Sequence, residues 1–203
     1  TSADPDLYKA RDPRTLVMDS VLADIDFAIA NINNTKSATA SSISKWTALA
    51  LKSRICLYEG TFRKYHTELN LTGTANSWLQ YAESAAKELM ESRQYSIHNT
   101  NNPTRDYRTL FISQSPPSDE IILARIYNDG LKVYHNATGF FSSYGKYQPS
   151  YTKRFINTYL KADGTRFTDQ AGHDTIQFQY ETLNRDARLA QTIRTPGYKR
   201  SDG

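Results

Sequence analysis

Apolar residues recur with helical spacing along the first half of the chain. Val17, Val21, Ile25, Ala28 and Ile32 follow at intervals of four, four, three and four, which sets them on one stripe of a helix. Asp12-Pro13 opens this helix, because Asp caps well and Pro suits the first helical position. The polar run from Asn33 to Ser37 closes it, giving a predicted span of 13–32. A second helix over about 44–64 carries Trp46, Ala50, Ser53 and Leu57 on one face, flanked by Leu49 and Cys56. Its small residues Ala48, Ala50, Ser53 and Gly60 permit close approach by a neighbour. A third, over about 76–92, repeats the pattern with Trp78, Ala82, Ala85 and Leu89, plus Tyr81 and Ala86. Short connections and these stripes predict antiparallel neighbours with both indoles buried. The spacing fits hairpins of the tetratricopeptide kind and also any other antiparallel helix pair.

Beyond Tyr95 the periodicity fails. Asn99 to Pro103 and Ser113 to Ser118 read as loops. Glu120 to Tyr127 and Leu131 to Tyr134 flank Asn128-Asp129-Gly130, a pattern that predicts a β-hairpin. A fourth helix, capped by Gln148-Pro149-Ser150, places Tyr151, Phe155 and Tyr159 on one face with Ile156 beside them; Asp163-Gly164 stops it, and from Thr165 onward the chain reads as mostly loop. The expected organisation is a helical scaffold over 1–98 and a loop-rich region over 99–203, within one domain.

Composition narrows the function. At 203 residues the chain is one large domain or a piece of something larger. The opening at Thr1, without Met or a signal sequence, reads as a processed, trimmed or partial protein. A single Cys excludes a disulfide framework and any multi-thiolate zinc site, and Cys56 itself reads as an inert packing thiol. A net charge of +4 with mixed signs does not suggest nucleic acid. No stretch approaches the roughly 18 apolar residues that would span a bilayer. The informative excess is aromatic, with 14 Tyr, 8 Phe and 2 Trp.

Nine aromatic residues fall between positions 127 and 159. Tyr151, Phe155 and Tyr159 have helical spacing and read as core. Tyr134, Phe140, Phe141, Tyr144 and Tyr147 surround Gly139, Ser142, Ser143 and Gly145 without such a period. Aromatic faces pack on the apolar C–H faces of sugar rings while polar neighbours bond the hydroxyls, and Tyr supplies both. These five, with Asn128, Asp129, Asn136 and Lys146 as polar partners, form a candidate saccharide-binding loop. The same rings could instead fold under and pin the loop to the helices. Asp169, His173 and Asp174 match no metal spacing and read as a solvated loop. The segment Asn184-Arg185-Asp186-Ala187-Arg188 reads as an ion-pair network holding loops together. Three Asn-x-Thr sequences in which x is not Pro begin at Asn33, Asn70 and Asn136, and a turn or capping role suffices for Asn70.

Taken in order, these segments resemble the SusD/RagB family of cell-surface, glycan-binding lipoproteins. Ser44-Lys45-Trp46 through Leu57-Tyr58-Glu59-Gly60 is similar to the family helix that ends in a Leu-Tyr-Glu-Gly-like turn. Tyr81, Ala82, Ala85 and Ala86 follow, then Tyr95-Ser96-Ile97, Tyr107 with Leu110-Phe111, Glu120-Ile121-Ile122, Pro149 with Phe155 and Tyr159, Asp163-Gly164-Thr165, and Asn184-Arg185-Asp186-Ala187-Arg188-Leu189 with Thr192-Ile193. The chain departs from the family in carrying Ala187 where Pro is usual, and it resembles a middle section of a longer member. The resemblance implies a mainly α, tetratricopeptide-like scaffold with a loop-rich part containing short strands. It also implies capture of a polysaccharide or oligosaccharide at the outer membrane, lipid anchoring through an N-terminal part outside this chain, and delivery to a TonB-dependent transporter. Neither catalysis nor a cofactor is expected. A tetratricopeptide-type protein-binding scaffold is the competing expectation. A glycoside hydrolase would need a facing carboxylate pair, and the sequence marks none.

Overall fold

The computed structural model of the chain describes residues 4–137 and 150–198. Among the described residues the regular structure is helical, and β-pairing is confined to isolated bridges. The chain divides into two compact units, Thr1–Ser96 with Ser118–Ala124, and Ile97–Pro117 with Arg125–Gly203. A later segment, Ser118–Ala124, thus returns to the first unit.

In the first unit, α1 spans Arg14–Asn31, α2 Lys45–Tyr65 and α3 Thr72–Glu91. Residue pairs fix their directions. Lys45 near the start of α2 meets Glu88 near the end of α3 at 2.7 Å, and Arg63 near the end of α2 bonds Thr74 at the start of α3 at 2.8 Å. Arg14 meets Glu59 at 2.6 Å and Lys52 meets Asp26 at 2.5 Å. So α2 runs antiparallel to both α1 and α3. The connection from α2 to α3 reverses at Asn70, which sits in the left-handed region at φ 55°, as a turn role for Asn70 anticipates.

The core gathers Cys56, Trp78 and Ala82, with Met18 and Leu22 of α1 packed against it. On α1 Ile25 is buried and Val21, Ala28 and Ile32 are half-buried, but Val17 is exposed. Positions four apart advance about 40° around a helix, so Val17 has rotated roughly 80° from Ile25, whereas Met18 lies within about 20° of it. On α3 the expected face is the buried one, through Ala75, Trp78, Ala82 and Ala85, with Tyr81 left exposed.

The face expected for α2 needs correction. Its buried positions are Ala48, Leu49, Cys56, Glu59, Gly60 and Arg63, while Leu57 is exposed and Trp46 half-buried. Lying between two helices, α2 buries a wide arc, and part of that arc is charged and invisible to an apolar count. The Trp46 indole packs toward the α1–α2 connection, where its Nε1–H donates to the Asn34 carbonyl at 2.7 Å. Nor does Leu57-Tyr58-Glu59-Gly60 form a turn: α2 continues through it to Tyr65.

Glu59 is wholly buried. Its carboxylate accepts from Arg14 at 2.6 and 3.0 Å and from Arg63 Nε at 2.7 Å. Burial raises the carboxyl, but the hydrogen bonds from the two guanidinium groups outweigh it and hold the pKa below the usual glutamate range. Each arginine also lies over an aromatic ring, Arg14 over Phe62 at 3.8 Å and Arg63 over Trp78 at 4.8 Å. Burial likewise pushes the Cys56 thiol up, so it packs as an apolar group, as expected from its position. The returning segment adds two backbone bonds to this unit, Ser96 N–H to Asp119 O at 2.9 Å and Ala124 N–H to Ala40 O at 2.7 Å.

In the second unit, α4 spans Asp106–Ile112, α5 Lys153–Ile156, α6 Phe178–Glu181 and α7 Ala187–Thr192. The expected hairpin contracts to one pair, Asn128 with Val133, bonded in both directions at 3.1 and 3.0 Å. Four residues close it, with Lys132 in the left-handed position at φ 55°, and the Asn128 side chain accepts from Leu131 N–H at 3.0 Å. The predicted fourth helix is likewise shorter, a single turn capped by Thr152, whose Oγ1 accepts from Phe155 N–H at 3.2 Å. Its aromatic ladder is real, with Tyr151 stacked on Phe155 at 5.0 Å and Phe155 edge-on to Tyr159 at 5.8 Å. Yet Tyr151 and Phe155 are exposed, so the ladder is not core.

Arg185 is the buried hub of this unit. It donates to the carbonyls of Glu181, Ile156 and Tyr159, each at 2.9 Å, and lies 3.8 Å over the Phe167 ring. The expected network therefore separates into two parts. Arg185 serves backbone carbonyls, and Asp186 forms a bidentate pair with Arg188 at 3.0 and 2.5 Å. Asp163 stabilises the adjoining turn, accepting from Thr165 N–H at 2.9 Å and Oγ1–H at 2.7 Å, with Gly164 at φ 84°.

Candidate functional site

Two clefts in the second unit present aromatic and polar side chains together. The larger surface lies along α4 and α7. Asp106 fixes the start of α4 by accepting from Thr100 N–H at 2.9 Å, Thr100 Oγ1–H at 2.5 Å and Asn102 N–H at 3.1 Å. The Thr100 hydroxyl bond first, and these amides with it, hold its carboxyl below the usual aspartate range. Gln191 of α7 then joins the two helices. Its Oε1 accepts from Arg108 N–H at 2.9 Å, and its Nε2–H donates to the carbonyls of Pro103 at 2.9 Å and Ala187 at 3.0 Å. The Asp186 carboxylate caps α7 by accepting from Arg188 N–H at 2.9 Å, and its pairing with the Arg188 side chain lowers its pKa.

After α7 the chain turns at Gly197, φ 87°, and brings Tyr198 back beside α4. The Arg108 guanidinium stands 5.7 Å from the Tyr198 ring centre and that of Arg194 5.6 Å from it. Two adjoining cavities of about 630 and 400 Å³ result, and they share Arg108, Ile112, Ala190, Gln191 and Tyr198. Tyr107, Phe111 and Tyr151 line the smaller one. Tyr107 and Phe111 meet edge-on at 5.2 Å, and Phe111 is 70% exposed, which leaves much of its surface free for a ligand. None of Tyr107, Phe111 or Tyr198 is among the residues the sequence marks as a site. The available signal is the four-residue spacing of Tyr107 and Phe111, which puts both rings on one helix face.

The second cleft, about 640 Å³, is the one that contains the sequence candidates. Tyr134 lines it with Tyr127, Asn128, Asp129 and His135. Tyr134 is exposed, its hydroxyl 3.4 Å from the Asp129 carbonyl, and Tyr127 meets the His135 ring edge-on at 4.7 Å. Asn136 is exposed nearby in the chain. Phe140, Phe141, Tyr144, Lys146 and Tyr147 lie outside the described residues.

Among the described residues no three His, Cys, Asp or Glu side chains come together as metal ligands, and no helix is long and apolar enough to cross a membrane. His173 is engaged locally, with Nδ1 3.2 Å from the Gln170 carbonyl and its ring edge-on to Phe167. Comparison of the chain with protein families, with curated proteins and with solved structures returns no match.

Proposed function

We propose that this protein binds a glycan at the cell surface, as the motif-by-motif resemblance to the SusD/RagB family implies, and hands it to a TonB-dependent outer-membrane transporter. In this reading α1, α2 and α3 are tetratricopeptide-like hairpins serving as scaffold, the protein is lipid-anchored through a part outside this chain, and it catalyses no reaction. The observation that carries the binding part is the α4–α7 cleft, where the exposed rings of Phe111 and Tyr151 line one cavity with Tyr107, Tyr198 and two guanidinium groups. Such a surface combines stacking for sugar C–H faces with donors and acceptors for hydroxyls. The cleft that contains Tyr134 offers the same combination on a smaller aromatic surface. Binding of the purified chain to a panel of polysaccharides, with reducing-sugar release followed in parallel, tests both statements. Retention on at least one polysaccharide without cleavage is the expected result.

A protein-binding scaffold is the second reading. The exposed Tyr58 on α2 favours it, since tyrosine is among the side chains that most often anchor protein interfaces.

A further inference from the structure

Arg108 and Arg194 differ from the arginines that form ion pairs in this fold. Arg14, Arg63 and Arg188 each meet a carboxylate within 2.7 Å. Among the described residues no carboxylate pairs with the guanidinium of Arg108 or Arg194, and both stand near one ring, Tyr198, at 5.7 and 5.6 Å. The acidic residue on the same cleft, Asp106, is already occupied by Thr100 and Asn102. The wall of the smaller cavity, lined by both arginines and by no carboxylate, is cationic, with two planar forks that match a carboxylate and an aromatic platform beside them. Resting on the glycan-binding reading, we propose that the α4–α7 cleft takes an acidic saccharide. A carboxylate-bearing sugar ring stacks on Phe111 or Tyr151, and its carboxylate is received by Arg108 and Arg194.

The test uses the full chain and isothermal titration with three probes: tetragalacturonate, its methyl ester and maltotetraose. The ester keeps the sugar ring and removes the charge. Tetragalacturonate should bind about tenfold or more tighter than either neutral probe, and its affinity should fall as salt is raised. Arg194→Gln, at an exposed position, should lose about tenfold on tetragalacturonate alone, with an unchanged melting temperature; Arg108→Lys should lose less than Arg108→Gln. Equal affinity for the ester and the acid, or a tetragalacturonate affinity that neither Arg108→Gln nor Arg194→Gln changes, overturns the proposal and leaves glycan binding standing. A sulfated oligosaccharide bound in place of the uronate overturns the carboxylate assignment, and a poly-glutamate peptide bound as tightly through the same arginines overturns the sugar. Failure to bind any saccharide in the polysaccharide panel defeats the glycan reading and this inference together.

Discussion

Gly60 of α2 lies directly against Leu79 of α3. A Cβ on Gly60 would stand 2.8 Å from Leu79 Cγ and 3.0 Å from its backbone nitrogen, and a backbone atom cannot swing aside as a side chain can. Gly60→Ala therefore sets a gain in helix propensity of about 1 kcal/mol against overpacking of about 1–3 kcal/mol. Overpacking outweighs the gain, and a lower urea midpoint is expected. Gly73→Ala, in the first turn of α3 with open space around the new methyl, should shift the midpoint upward. Equal shifts for the two would refute the close-contact account.

Glu59→Gln keeps the shape of the side chain but leaves Arg63 buried without an anion. A loss of about 3–5 kcal/mol is expected, read by chemical denaturation. The pH dependence has a definite sign. The folded carboxyl titrates below its unfolded value, so its contribution is complete above about pH 4 and is lost as pH falls through the folded value. As pH falls from the unfolded value toward the folded one, the wild-type protein should lose stability more steeply than Glu59→Gln.

Arg185→Lys should behave as a drastic change despite the retained charge. An ammonium cannot span the carbonyls of Glu181, Ile156 and Tyr159 or lie flat on Phe167. A loss of about 2–3 kcal/mol is expected. Faster amide exchange should appear at Ala162 and Asp186, whose N–H groups bond Asn184 and Leu160 across the same junction. Unchanged exchange there would show that Arg185 is not the hub.

Phe111→Ala removes contact with a ligand and little from the free protein, because the ring is already mostly in solvent. At about 25 cal/mol per Å², some 50–80 Å² of lost contact corresponds to about 1–2 kcal/mol, or roughly tenfold in glycan affinity. Thermal stability should barely move. Tyr134→Ala serves as the comparison: a larger loss there than at Phe111 would transfer the binding site to the other cleft.

The three long helices are legible in the sequence because each keeps one apolar stripe for five turns or so, and a stripe is what periodicity detects. What escapes detection is polar or distant. Glu59 and Arg63 occupy core positions as a charged pair, so an apolar count draws the buried arc of α2 too narrow and too far toward Leu57. The short helix α4 holds its first turn through Asp106 and the preceding loop rather than through a repeating stripe. Gln191 reaches partners 83 and 88 residues away, so no local pattern announces the cleft they form. The aromatic ladder of Tyr151, Phe155 and Tyr159 shows the converse: helical spacing suggests core, yet a one-turn helix has too little length to bury it.

The return of Ser118–Ala124 to the first unit bears on the order of synthesis. A ribosome delivers α1, α2 and α3 early, but the bonds from Ala124 to Ala40 and from Ser96 to Asp119 must wait until the opening stretch of the second unit has emerged between them. The first unit is thus finished late, and a protein cut off after Ser96 would expose the Ala40 carbonyl that Ala124 otherwise covers. For anyone dividing this chain for expression, a single cut between the units does not exist.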